Sequence, residues 1–400
     1  MKKFLTVLLV FVLALTAVAA VSAADAPFKL GVILVHDENS GYDNAHIEGV
    51  KAAQKALGLT DDQIIFKYNV AEDESCHDAA VDLAEQGCTL IVSDSYSHQS
   101  YMKQAAEEYP NVKFIADTGD TAWNDKLDNF SNMFPHTFES RYVSGLVAGM
   151  KLKELMDAGK VTDPYVGYVG AYPYAEVVSG YTAFFLGIRS IVPTAHMDVQ
   201  YTNSWYDPTA EAEAANALIS RGCVIIGQHA DSTGAPSAIQ AAKDGGKIVY
   251  SVGYNIDMLK VAPTAALTSA QNIWGALYTP MIKMAMEGKQ LPKDFTAGYA
   301  EDGVQISPLG PECATGTQEA VDKAIAGIKD GSLKIFDTKN FTVGGKAVTT
   351  YTALDSNGDF TPDTGEAIVD GVFDESDPAI LRSAPYFALR IDGITELTSK

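Results

Sequence analysis

The chain runs to 400 residues and carries a formal net charge of −22, from 51 acidic against 29 basic side chains. That length exceeds what one hydrophobic core usually holds, so two lobes are expected. The acidic balance excludes nucleic-acid binding, whose affinity rests on neutralising phosphates with Lys and Arg, and it suits a non-sticky protein in solution.

Residues 1–23 read as a cleaved signal peptide: Lys2 and Lys3, an apolar run from Phe4 to about Ala20, and Val21-Ser-Ala23 as a small-residue cleavage site. No cysteine lies near that point to accept a lipid. No other stretch reaches the ~18 consecutive apolar residues of a membrane span. The expectation is a periplasmic or secreted protein, monomeric.

From residue 28, short β-like runs alternate with helical patterns. Strands are predicted at 30–35, 64–68, 89–92 and 113–116, with helices at 45–57, 76–86 and 99–109 between them. The same grammar restarts after residue 163. Strands are predicted at 165–169, 196–201, 224–227 and 247–252. Helices fall between them, up to about 192, over 208–221 with Asp207 as N-cap, and near 237–243. Such alternation predicts βαβ units and parallel sheets. The expected fold is α/β: two doubly wound lobes joined by a hinge, with the ligand cleft between them. The helix 276–287 and the stretch 289–304 are read as returning the chain across the hinge. The first lobe then takes 28–140 and about 262–310, and the second about 141–261 and 311–332. Residues 333–400 change character, with a hairpin signal at 341–348 and an apolar end at 384–391, and read as a β-rich extension packed on a lobe.

The four cysteines form no disulfide framework. Cys88 and Cys223 each open a buried strand and read as core thiols. Cys76 lies about 15 Å or more from Cys88 by helix rise, beyond the ~7 Å that a bridge allows.

In open α/β sheets, ligands bind at the carboxyl ends of the strands. Asp37, Tyr42 and Asp43 follow the first strand, Ser95 the third and Asp117 the fourth. In the second half, Trp205 in Thr202-Asn-Ser-Trp-Tyr-Asp-Pro208 holds the place comparable to Tyr42. Facing rings suit a flat ligand, since stacking on a nucleobase contributes ~1–3 kcal/mol. Asp231 and Asp257 are strand-end carboxylates able to accept from ring N–H, amino or hydroxyl groups, and Asn272 near the hinge offers both a donor and an acceptor. For each, the bland alternative is a helix cap, an Asx turn or plain loop packing.

Seven histidines show no zinc-type spacing. His229, Asp231 and Ser232 resemble parts of a hydrolytic triad, but no Gly-x-Ser-x-Gly elbow accompanies them. No Gly-rich phosphate loop is present. No catalysis and no cofactor are expected. Asp355, Asn357, Asp359, Thr361, Asp363 and Glu366 take the spacing of a calcium loop, yet Phe360 occupies the position where a sharp turn needs glycine. A polar surface turn is the preferred reading there.

Several of these motifs together resemble the basic membrane protein (Bmp) family, the purine- and nucleoside-binding receptors of ABC importers. The resemblance covers nearly all the mature chain. It is carried by residues 37–43, by 129–149 with Glu139-Ser-Arg-Tyr142, and by Val169-Gly-Ala-Tyr172. Ser204-Trp-Tyr-Asp-Pro208, Gln228-His-Ala-Asp231, Leu267-Thr-Ser-Ala-Gln-Asn272 and Arg390-Ile-Asp-Gly393 complete it. It implies a type I periplasmic-binding-protein fold, a base stacked between aromatic rings, and acidic and amide groups reading its edge or the ribose. Tyr42 stands where the family usually has Phe, Asp43 where it has Asn, and Asn272 where the nucleoside-binding branch has Lys. The combination of Trp205-Tyr-Asp-Pro208 with Gln228-His-Ala-Asp231 is more similar to relatives that bind a free base such as adenine. Many relatives are lipidated at an N-terminal cysteine that this chain lacks, which points to a periplasm. The implied partners are a purine ligand and an inner-membrane ABC permease. A sugar or autoinducer receptor, and a sensory subunit, remain the alternatives.

Overall fold

The computed structural model describes residues 27–397 apart from 360, 378 and 380, so the expected signal peptide lies outside the described residues. In chain order the first half runs β1 (Leu30–Ile33), α1 (Gly41–Leu57), β2 (Ile64–Lys67), α2 (Glu74–Glu85), β3 (Leu90–Ser93), α3 (Gln99–Glu108), β4 (Lys113–Asp117), β5 (Phe130–Met133) and α4 (Thr137–Asp157). The second half runs β6 (Tyr165–Gly170), α5 (Ala175–Arg189), β7 (His196–Tyr201), α6 (Pro208–Arg221), β8 (Ile225–His229), α7 (Gly234–Asp244), β9 (Tyr250–Tyr254) and β10 (Ala266–Asn272). Then come α8 (Gly275–Met286), β11 (Asp294–Phe295), β12 (Val304–Ile306), α9 (Thr317–Lys329), β13 (Thr352–Leu354), β14 (Thr364–Glu366), β15 (Ile368–Val369), β16 (Val372–Phe373) and β17 (Ile394–Leu397).

The strands form two principal sheets, ordered β11-β5-β4-β3-β1-β2 and β12-β10-β9-β8-β6-β7-β17. Within each, the first five strands pair in parallel in the order 2-1-3-4-5. β1, β3, β8 and β9 are buried along their whole length, as parallel strands covered by helices on both faces must be. Apolar clusters lie on both faces of each sheet. Among the described residues, no helix is long and apolar enough to cross a membrane.

Local chemistry sets the helix ends. Asp207 caps α6 by accepting from Thr209 N–H and Ala210 N–H at 3.0 and 2.9 Å, with Pro208 at the first helical position. Ser40 caps α1 by accepting from Asp43 N–H at 3.3 Å, and Gly58, at φ +69°, closes it. α1 therefore starts four residues before its expected first residue, and Tyr42 and Asp43 sit in a helical turn instead of a loop.

Three segments cross between the lobes: 134–136, 273–274 and 296–303. They hold one another through backbone bonds, Phe134 N–H to Phe295 O, His136 N–H to Ala297 O, and Ile273 N–H to Gly303 O, at 2.8–3.0 Å. The expected assignment of 262–310 to the first lobe is corrected here. β10 and β12 belong to the second sheet, while α8, packed on α1, and β11 belong to the first. The extension is also less β-rich than expected. It holds two short hairpins, an isolated bridge between Val343 and Lys346, and β17, which pairs with β7 as an edge of the second sheet. Cys76, Cys88 and Cys223 are buried free thiols, and Cys313 is also free.

Candidate functional site

A cleft lies between the lobes, lined by Val35, Tyr42, Asp94, Ser95, Tyr96 and Thr118 from the first and by Glu176, Trp205, His229, Asp231 and Tyr254 from the second. Every one of these follows or ends a parallel strand, or opens the next helix. In a 2-1-3-4-5 sheet the crevice falls where strand order reverses, beside the first and third strands. Asp94 follows β3 and Val35 follows β1; Glu176 follows β6 and Asp231 follows β8. Topology thus brings the two switch points face to face.

The lobes meet across this cleft. Gly41 N–H donates to the carbonyl of Asp231 at 3.0 Å, His36 and Tyr206 rings lie 5.5 Å apart, and Tyr96 and Tyr174 rings 5.8 Å. On the second lobe, Trp205 meets Tyr172 edge-on at 5.1 Å, and Tyr172 stacks on Tyr174 at 5.2 Å. On the first, the Tyr42 hydroxyl donates to the Asp94 carbonyl at 2.7 Å while its ring meets His46 edge-on at 4.6 Å.

The polar lining is acidic and poor in charge. Burial, with the nearby Asp43 charge, pushes Asp94 well above the usual carboxylate range. Burial alone would lift Asp43 too, but hydrogen bonds with His36, Ser40 and Asp94 hold it below that range. Burial and the Glu211 carboxylate likewise raise Asp231. Burial lifts Glu176 to about 7 against the pull of Arg141. His229, 3.3 Å from Glu176, is held neutral by burial and by Arg141. Arg141 does not line the cleft. It lies under the Tyr254 ring at 3.8 Å and donates to the Gln228 carbonyl at 2.6 Å.

Of the residues expected at the site, Tyr42, Ser95, Trp205 and Asp231 line the cleft. Five do not. Asp37 turns away and accepts from the backbone and side chain of Asn39 at 3.0 and 2.8 Å, an Asx turn. Asp43 is fully buried behind the loop, accepting from His36 N–H at 2.7 Å. Asp117 is buried against Tyr278, whose hydroxyl donates to it at 2.7 Å, and burial raises it well above the usual range. Asp257 caps a short helical turn by accepting from Leu259 N–H at 3.0 Å. Asn272 accepts from Thr137 Oγ1 at 2.8 Å and donates to the Tyr254 hydroxyl at 3.2 Å, so it orients a cleft residue from behind.

Sequence reading did not single out Val35, Asp94, Tyr96, Thr118, Glu176 or Tyr254 for the site, and it weighed His229 only as part of a hydrolytic triad. Asp94, Tyr96, Thr118 and Glu176 carried the same strand-end signal as residues that were singled out. In the 355–366 loop Asp355 accepts from Asn357 and Gly358 N–H, Asp363 from Ser356, and Asp359 from Thr361 N–H, while Glu366 accepts from Tyr351 and Ile368 N–H outside it. Among the described residues, no group of His, Cys, Asp and Glu gathers to hold a metal ion.

The family model for PnrA-like ABC transporter substrate-binding proteins (Bmp) matches residues 31–332. The chain belongs to this family. A purine-binding protein of Brucella abortus (strain 2308) is 32% identical over 316 residues, 78% of this chain and 84% of that one. A Haloferax volcanii protein named for glucose binding by an ABC transporter, TsgA13, is 30% identical across 68% of this chain and 65% of that one. Solute-binding proteins of ABC transporter systems from Aeropyrum pernix K1 (TM-score 0.66, 17% identity, 77% of this chain and 93% of that one) and Conexibacter woesei DSM 14684 (0.60, 20%, 77% and 98%) share the fold. As a Bmp protein the chain is an extracytoplasmic substrate-binding protein and not an enzyme: it binds a small molecule and delivers it to a permease.

Proposed function

We propose that this protein captures a free purine base, of the adenine type, outside the cytoplasmic membrane after removal of its signal peptide, and passes it to an ABC permease. The observation that carries the reading is the lining itself. It combines the Trp205 and Tyr42 rings with the carboxyl groups of Asp94, Glu176 and Asp231, and it contains neither lysine nor arginine. A phosphate-bearing nucleotide calls for cations, so a neutral ligand fits better. Burial favours the protonated form of these carboxyl groups, and a carboxyl that holds its proton both donates and accepts, as the edge of a heterocycle requires. Such a site rejects analogues that leave its buried polar atoms unpaired. The Brucella relative, purine-binding by name, supports the same reading.

The glucose-binding name of the Haloferax relative favours a second reading, since stacked rings with carboxyl groups also hold pyranoses. Thermal-shift measurements with adenine, guanosine, inosine, ribose, galactose and glucose separate the two, because a bound ligand stabilises by RT ln(1 + [L]/Kd). Adenine is expected to give the largest rise in melting temperature. Stabilisation confined to sugars would sink the purine reading.

A further inference from the structure

Residues 333–397 lie beyond the segment matched by the family model. Their apolar side is built into the second lobe. Phe336 stacks on Phe387 at 4.5 Å, both belong to the same core as α4 and α5, and β17 pairs with β7. Among the described residues, their polar side reaches the first lobe at Asp120, Asp294 and Asn124. Arg382 Nη1 lies 3.2 Å from Asp120 Oδ2 and donates to the Asp120 carbonyl at 3.3 Å. Ser383 donates its N–H and its hydroxyl to Asp294 Oδ1 at 2.9 and 2.7 Å. Asn124 donates to the carbonyl of Ser356 at 2.7 Å. Asp120 follows β4 and Asp294 lies on β11, next to the third crossing segment.

The contact at Asp120 runs on into the cleft. Asp120 Oδ2 accepts from the Tyr96 hydroxyl at 3.1 Å, and Oδ1 accepts from Gln99 Nε2 at 3.1 Å. Tyr96 lines the cleft and faces Tyr174 of the second lobe. We propose that the C-terminal extension braces the two lobes, with Arg382 as a positioning residue that fixes Tyr96 through Asp120 and limits how far the cleft opens. The inference rests on the cleft being the ligand site, not on the identity of the ligand.

The physical basis is an ion pair at a seam that must move. The Arg382 side chain is 11% exposed and that of Asp120 21%, so water screens the pair only in part. The Asp294 carboxyl feels both Arg382 and Asp120. Without the guanidinium, two acidic groups on the first lobe lose their shared cation, and the extension loses its charged hold.

The test compares the purified wild-type protein with R382A, R382K and S383A. Small-angle X-ray scattering without ligand reads the opening, and stopped-flow Trp fluorescence reads adenine release. R382A is expected to enlarge the radius of gyration and to speed release roughly three- to tenfold. R382K restores most of both, and S383A gives a smaller enlargement. S383A also carries the test if R382A fails to fold. An unchanged radius in R382A and S383A overturns the brace, and so does faster release without a larger radius. A larger radius with unchanged release overturns the role given to Tyr96. Failure of wild type to bind adenine counts against the purine reading alone, since the scattering comparison needs no ligand.

Discussion

Trp205 packs against Tyr172 and Tyr174 along one side and borders the cleft on the other. Removing the ring in W205A takes away ~1–3 kcal/mol of stacking, which weakens binding of a base roughly 5- to 150-fold by isothermal calorimetry. The fold should stay intact, because the loop is held by its own bonds, Asn203 N–H to Ala171 O and Asp231 N–H to Trp205 O, both 2.9 Å. Thr118 carries a different kind of information. It is β-branched, lines the cleft, and has φ +63°, a conformation that costs on the order of 1–3 kcal/mol and persists where surroundings over-determine it. T118G is expected to raise the melting temperature while weakening ligand binding; a loss of stability would show that the hydroxyl or methyl packs more than it strains. The strand-end rule reached Tyr42, Ser95, Trp205 and Asp231 because a ring or oxygen at such a place is visible in one sequence. It could not separate them from Asp117 and Asn272, whose partners Tyr278 and Thr137 lie 161 and 135 residues away, nor from Asp257, whose local cap on Leu259 N–H reads in sequence like any strand-end carboxylate.

Helix α1 shows how tightly the elements are fitted around the crossing segments. A methyl group on Gly49 would stand 2.5 Å from Trp274 Cβ and 3.0 Å from Gly275 N. Trp274 is in turn stacked on His46 of the same helix at 3.8 Å. G49A must push α1 off the crossing, at a cost of about 1–3 kcal/mol for an overpacked contact, read as a lower urea midpoint with an unchanged slope. The βαβ grammar and both parallel sheets were legible from alternation alone. β5 and β10 were not. In β5 the polar Asn132 is buried, accepting from Ala122 N–H at 2.7 Å and donating to Ala116 O at 2.8 Å. In β10, Thr268 donates to the Ser307 carbonyl at 2.8 Å, and the Ser307 hydroxyl receives Ser269 N–H at 2.8 Å. Such strands lack the apolar run that marks a buried strand, because hydrogen-bond partners far along the chain take the place of apolar packing.

Over the whole molecule, buried carboxyl groups pull stability down as pH rises from about 5 to 8, while His46, His98 and His229, held by burial below their ordinary 6.5, pull the other way as the unfolded state loses their protons. Burial lifts Glu176, Glu211 and Glu375 to about 7 from an ordinary value of 4.5. The folded state then binds more protons than the unfolded state above pH 4.5, and the stability this represents is lost as pH passes through 7. Carboxylates held low, such as Asp82 and Asp125, titrate well below that window and do not offset it. Self-repulsion of a chain at −22 acts in the same direction, and salt opposes it. Calorimetric scans between pH 5 and 8 should therefore show melting temperature falling less, or rising more, with pH in E211Q than in wild type; equal slopes would contradict a proton held on Glu211 by burial. The crossing segments carry a last consequence, for the order in which the chain takes shape. The first lobe is completed by α8 and β11, and both come after β10 of the second sheet in the chain. On the ribosome, α1 waits without the helix that covers it until residue 286 has been made, and the first sheet lacks its edge until 295. Nascent chains shorter than this present the apolar face of Ile47, Val50 and Ala53 to whatever is nearby, so early polypeptides stay open to chaperones and proteases until the last crossing is synthesised.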